Sequence, residues 1–340
     1  MPSINKIAKS RISRATARIT TQSFNVGMFL AEADANLNGQ DFWTVSSVDD
    51  VLAIPGMATT SPSYLAAAAY FGLAISPDKL IIGQKLASDA DHGAAVARII
   101  AAGAKPYFVG AETRVFAEQQ TITTYVNTKR MYFVAMSNTA ADIVAAGQSG
   151  AETANSDRMA LCYEVGNTKT YNDMRAIGYF SAAPTGSWVA AAQVFNGAIK
   201  ADLTDAEYDD AITNRMNVFV DFGGLVAMQN GLASSGEWID VIVNLDWVDA
   251  RIEEELALLK LANPKINYAD DGVLLERTAI LKVLRTAEDM SILANVDLIS
   301  QSPDDVLDSI KLSRKYEGHN WSADLVQAIQ ATTVDGKVGV

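Results

Sequence analysis

From Lys79 to Val165 short apolar runs alternate with helix-patterned stretches, and that alternation leaves few folds open. Lys79-Leu-Ile-Ile-Gly-Gln84, Pro106-Tyr-Phe-Val-Gly110, Arg130-Met-Tyr-Phe-Val-Ala-Met136 and Met159-Ala-Leu-Cys-Tyr-Glu-Val165 carry the β-branched and aromatic residues that suit a pleated, buried surface. Residues 92–102 and 139–146 lie between such runs and have the spacing of helices. Before them, 23–30 reads as a core strand, Ser47 and Asp50 take capping-box positions ahead of a short helix, and 64–73 is an Ala-rich helix ending near Gly72. After them, 171–180 and 188–195 read as helices. Strands in alternation with helices predict an α/β sheet with the helices packed on it.

Beyond residue 200 the style changes. Thr204 and Glu207 form a capping box in an acidic segment, and 217–220 and 225–229 flank Gly223-Gly224 as a hairpin. Ser234 and Glu237 are placed as another capping box. The helix after them carries Trp238, Ile242, Leu245, Val248, Ile252, Leu256 and Leu259 on one apolar stripe, until Asn263-Pro264 stops it. A further helix is predicted over 273–292, and Ser302-Pro303 starts another.

The formal net charge of the 340 residues is −13, unevenly spread. Residues 1–31 contain no acid but five bases, Lys6, Lys9, Arg11, Arg14 and Arg18, so the rest of the chain carries −18. An acidic body argues against nucleic-acid binding, which needs clustered Lys and Arg. No apolar run is long enough to predict insertion into a membrane. Both ends read as strand-forming arms. Arg14, Thr16 and Arg18 alternate with Ala15, Ala17 and Ile19, and the last ten residues include Thr333, Val334, Lys337, Val338 and Val340. Each arm pairs either within its own chain, where Asp335-Gly336 is a hairpin signal, or with another copy.

Chemical motifs are tested and set aside. Asp221-Phe222-Gly223 lacks every companion of the kinase triplet and reads as a β-turn. Asp89-Ala-Asp91 begins like a calcium loop, but Ile100 stands where a bidentate Glu is needed, so Asp91 is a helix cap. No phosphate-binding glycine loop is present. His92 and His319 have no motif partner, Asp270-Asp271 suits a helix start, and Cys162 sits in an apolar run as a buried strand residue. No catalytic, cofactor-binding or metal-ligating residue is expected.

At this point the chain resembles a family, the contractile-tail sheath proteins of bacteriophages, especially their short, divergent branch. Tyr64-Leu-Ala-Ala-Ala-Ala-Tyr-Phe71 followed by Pro77-Asp-Lys-Leu-Ile-Ile-Gly83 resembles the family's entry to its core. The helix from Trp238, Lys265-Ile-Asn-Tyr-Ala-Asp-Asp-Gly272 and the stretch from Arg314 to Val338 resemble its C-terminal region. One departure is Gln327-Ala-Ile-Gln330, where relatives often carry Gly-Ala-Ile-His, which leaves the strand but not a role for that histidine.

The resemblance implies a mixed sheet flanked by helices over residues 21–84 and 131–330. It implies a small outer subdomain at 85–130, and arms at 1–20 and 331–340 that add strands to neighbouring subunits. It also implies six-membered rings of the same chain stacked around a tail tube, contact with baseplate and terminator proteins, and a place in the virion tail after synthesis in the host cytoplasm. A terminator or baseplate component with a sheath-like core, and an α/β enzyme with an unrecognised site, are the alternatives.

Overall fold

The computed structural model of the chain describes residues 22–32, 39–143, 150–166 and 169–329. One sheet contains β1 (Val26–Ala31), β2 (Phe42–Val45), β3 (Lys79–Gln84), β4 (Phe108–Ala111), β5 (Tyr132–Ser137), β6 (Met159–Tyr163), β7 (Asn217–Phe222) and β8 (Leu225–Gln229). Their order is β2-β3-β1-β4-β5-β6-β7-β8. The inner strands are all parallel, and β2 and β8 close the two edges antiparallel. A sheet of this kind is covered on both faces, which explains why its strands read as continuous apolar runs.

The cover comes from α1 (Val48–Leu52), α2 (Pro62–Phe71), α3 (His92–Ala101), α4 (Phe116–Val126), α5 (Ala151–Ala154), α6 (Asn172–Ala182), α7 (Asp205–Thr213) and α8 (Ile239–Ala262). Strand alternation sorts side chains between two cores. Phe29, Val134 and Phe219 join α2, α6 and α8, whereas Met28, Leu30 and Phe133 join α3, α4 and α7. Close backbone approach fixes the first layer. A Cβ on Gly178 of α6 would stand 2.4 Å from the carbonyl oxygen of Tyr70 in α2. The Tyr70 hydroxyl accepts from the Gly27 N–H at 3.0 Å and donates to the Lys79 carbonyl at 2.8 Å, pinning α2 under β1 and β3. Burial pushes its pKa up to about 12.

Helix α8 continues past the sheet and pairs with α9 (Asp270–Asp289), which is followed by β9 (Leu293–Ser300), α10 (Asp308–Leu312) and β10 (His319–Leu325). The apolar residues of α8, on the stripe and beside it, divide between two cores. Ile239, Ile242, Val243 and Ala250 pack under the sheet, while Val248, Ile252 and Leu256 meet Leu284, Leu293 and Leu298 in the C-terminal unit. Asp246 locks α8 to the sheet. Its carboxylate accepts from the Tyr107 hydroxyl at 2.6 Å, beside the start of β4, and from both terminal nitrogens of Arg158, beside the start of β6. Burial, then the charge of Asp246, pushes the Tyr107 pKa well above its usual range.

Several expectations are corrected by the structure. Residues 188–195 form no helix: Phe180 stacks on Trp188 at 4.4 Å, Val194 bridges Ala227, and the segment packs as an irregular strap. Only a single 3-10 turn, Ala140–Asp142, stands in the described part of 139–146. Ser234 does not cap α8; its hydroxyl donates to the Ser156 carbonyl, and Trp238 is the N-cap. Ser302-Pro303 opens only a 3-10 turn. Residues 85–130, expected as an outer subdomain, supply α3, β4 and α4, with β4 in the middle of the sheet. The capping box at Thr204, the Gly223-Gly224 hairpin, the Asp91 cap and buried Cys162 stand as predicted.

The Asp246→Ala variant removes the anion from between a buried phenol and a guanidinium. Loss of one partner from such a pair costs about 3 kcal/mol. Urea unfolding at neutral pH should show that loss, with the slope against denaturant unchanged.

Candidate assembly surface

The predicted N-terminal arm residues Arg14, Ala15, Thr16, Ala17, Arg18 and Ile19 lie outside the described residues, as do Thr333, Val334, Lys337, Val338 and Val340. The points at which both segments join the body are described. At the first, the Gln22 N–H donates to Glu254 at 2.6 Å, and the Gln22 carbonyl accepts from Arg251 at 2.8 Å, both on α8. The Gln22 side-chain amide donates to the Arg130 carbonyl at 2.7 Å. Phe24 is buried against Tyr107, ring centroids 4.5 Å apart, with the Arg251 guanidinium carbon 5.8 Å from the Phe24 ring centroid. Arg130 in turn pairs with Asp249 and Glu253. The acidic residues that lie off the apolar stripe of α8 therefore hold the root of the N-terminal segment.

The other segment leaves from β10, which pairs antiparallel with β9 and no other described strand. The two edges of this small sheet differ. From α9, Glu288 accepts the Val296 N–H at 3.0 Å and Arg277 donates to the Leu298 carbonyl at 3.2 Å, so α9 occupies the far edge of β9. Among the described residues nothing pairs with the far edge of β10. On β10 and just after it, Trp321, Leu325, Val326 and Ile329 are exposed, Ile329 at 88%. Two strands alone are marginal in water, and an unpaired edge beside exposed apolar side chains is a template for a further strand.

The α8–α9 turn and the segment before β10 line a groove of about 530 Å³. Lys260, Lys265, Arg314 and Lys315 line it together with Glu276 and Glu317. The Tyr268 hydroxyl donates to the Lys315 carbonyl at 3.0 Å, and the Tyr316 ring leans on both Tyr268 and His319. His319 Nε2 lies 3.4 Å from Glu276, and its Nδ1 lies 2.8 Å from the Ser300 hydroxyl. His319, reinforced by Lys260, holds the Glu276 pKa below the ordinary carboxylate value. No helix among the described residues is long and apolar enough to cross a membrane.

No family model matches the chain, and no curated protein matches it. The likeness is to solved structures. The helical sheath of the anti-feeding prophage in its contracted state superposes with a TM-score of 0.72 at 14% identity, covering 99% of each chain. The chain has the sheath fold. A sheath tail protein from Desulfitobacterium hafniense matches at TM-score 0.62 and 11% identity over 86% of this chain and 93% of its own. One from Listeria innocua matches at 0.60 and 10% over 92% and 97%. At such identities the backbone carries the comparison. Of the small C-terminal sheet, the sequence reading missed β9. Its signal was present in the alternation of Val296 and Leu298 with Asn295 and Asp297.

The groove makes a pH prediction. A carboxylate whose pKa falls on folding stabilises the native state above the unfolded pKa and loses that contribution as pH falls through the folded one. Thermal melts of Glu276→Gln should therefore lie below the parent at pH 7, and the gap should close in acid, below the usual carboxylate range.

Proposed function

We propose that the chain is a structural, non-enzymatic subunit of a contractile tail sheath. It polymerises with copies of itself, in stacked six-membered rings, around a tail tube in the virion tail. Contraction of that lattice drives the tube through the host envelope, with baseplate and terminator proteins at its ends. The observation that carries this reading is a likeness to a contracted helical sheath that runs over 99% of both chains. The open edge of β10 is its physical complement. A strand added there is held by main-chain hydrogen bonds, whatever its side chains. Such a joint survives rigid rotation of subunits, while charged surfaces exchange partners between two discrete lattices.

The arms are the strands proposed to be exchanged. The basic segment around Arg14, Arg18 and Ile19 suits an acidic neighbouring body, and Val334, Val338 and Val340 suit an extended strand.

Purified full chain examined by negative-stain electron microscopy should form rings or long striated tubes. A stable monomer at high concentration overturns the proposal. Removal of residues 1–18, or of 332–340, should abolish the polymer and leave a body that melts cooperatively. Normal polymers from both truncations would remove the arms from the mechanism.

A further inference from the structure

A further cluster of side chains stands at the carboxyl edge of the large sheet, built from residues of neither the β10 edge nor the groove. The succession of parallel strands reverses between β1 and β4: the chain leaves β1 for β3 on one side and returns to β4 on the other. In open α/β sheets, the crevice outside the carboxyl ends of the strands at such a reversal is where ligands bind. Glu32 follows β1, Glu112 follows β4, His92 opens α3, and Glu118 lies in the first turn of α4.

His92 is 3% exposed, and its Nε2 lies 2.7 Å from Glu32 Oε1 and 3.7 Å from Glu118 Oε2. One proton on Nε2 serves Glu32 and leaves Glu118 beyond hydrogen-bond reach. The carboxylates are themselves positioned. Glu112 accepts the Glu32 N–H at 2.8 Å and pairs through its other oxygen with Lys169 at 2.7 Å. The Thr113 hydroxyl donates to Glu118 Oε2. Among the described residues, neither Glu32 nor Glu118 pairs with a Lys or Arg, so the imidazole is their shared ion-pair partner. The free amides of α3 do not oppose a cation there unscreened, because Asp91 caps them, accepting from the Ala94 N–H at 2.7 Å.

We propose that Glu32, His92 and Glu118 bind a divalent cation of the zinc class. Their three donor atoms lie within 4.8 Å of one another. In a tetrahedral zinc site, bonds near 2.1 Å set the donors roughly 3.4 Å apart, a spacing that small side-chain shifts supply here. One imidazole nitrogen with two carboxylate oxygens suits zinc better than magnesium, which takes oxygen ligands and keeps its waters. The cation joins the ends of β1, α3 and α4 and balances the carboxylates.

The test is calorimetric titration of the chelator-treated full chain with zinc chloride, beside magnesium chloride. One equivalent of zinc should bind with micromolar or tighter affinity, raise the melting temperature, and outcompete magnesium. Glu32 and Glu118 are both partly exposed, so Glu32→Gln and Glu118→Gln should fold; each should weaken zinc binding by at least tenfold. His319→Gln, at the other histidine, should leave it unchanged. Absence of saturable zinc binding, or equal binding by the parent and both glutamine variants, overturns the site and leaves His92 a proton-bridged core residue.

Discussion

The carboxylate of Asp246 is the joint on which this molecule depends. It takes hydrogen bonds from Tyr107 and Arg158, which sit at the starts of two sheet strands, and it belongs to the helix that carries the C-terminal unit. A charge removed from water is costly unless all its partners are in place, so the register of α8 against the sheet is specified at this point. The apolar contacts around it are more forgiving. Five and eight residues further along the same helix, Arg251 and Glu254 bind the root of the N-terminal segment. Body, C-terminal unit and N-terminal root are therefore referred to a single rigid element.

That rigidity suits the proposed work. A lattice that contracts by turning whole subunits needs bodies that do not deform and joints that do not let go. Packed cores on both faces of the sheet give the first. An open strand edge beside exposed apolar residues, at the far end of the α8–α9 hairpin, offers the second.

Much of the sheet was legible because its strands are short, apolar and bounded by turn signals: the runs at Lys79, Pro106, Arg130 and Met159 became β3 to β6. The Gly223-Gly224 hairpin was equally clear, since both glycines have positive φ, as such a turn requires. The segment from Trp188 failed because aromatic burial overrode a helix-like pattern. The Ser234 box failed because the Ser156 backbone competed for its hydroxyl. The strand order, which places β4 inside the sheet, follows from pairings across the fold that local patterns do not encode. The cluster at His92 was hidden for the same reason: its partner Glu32 stands 60 residues earlier, with no motif spacing to announce it.

The unequal edges of the small β9–β10 sheet carry a geometric consequence. With α9 side chains on one edge and nothing described on the other, two copies cannot meet edge to edge through a twofold axis on the β9 side. In the strand exchange proposed above, growth is head-to-tail: one copy gives a strand, and the next receives it. Contacts of that handedness do not end in a pair. They close into rings when the rotation permits and run on as helices when it does not. The side chains of α9, lying across a strand that would otherwise be free, thus leave β10 as the edge of the small sheet that can receive a strand from another copy.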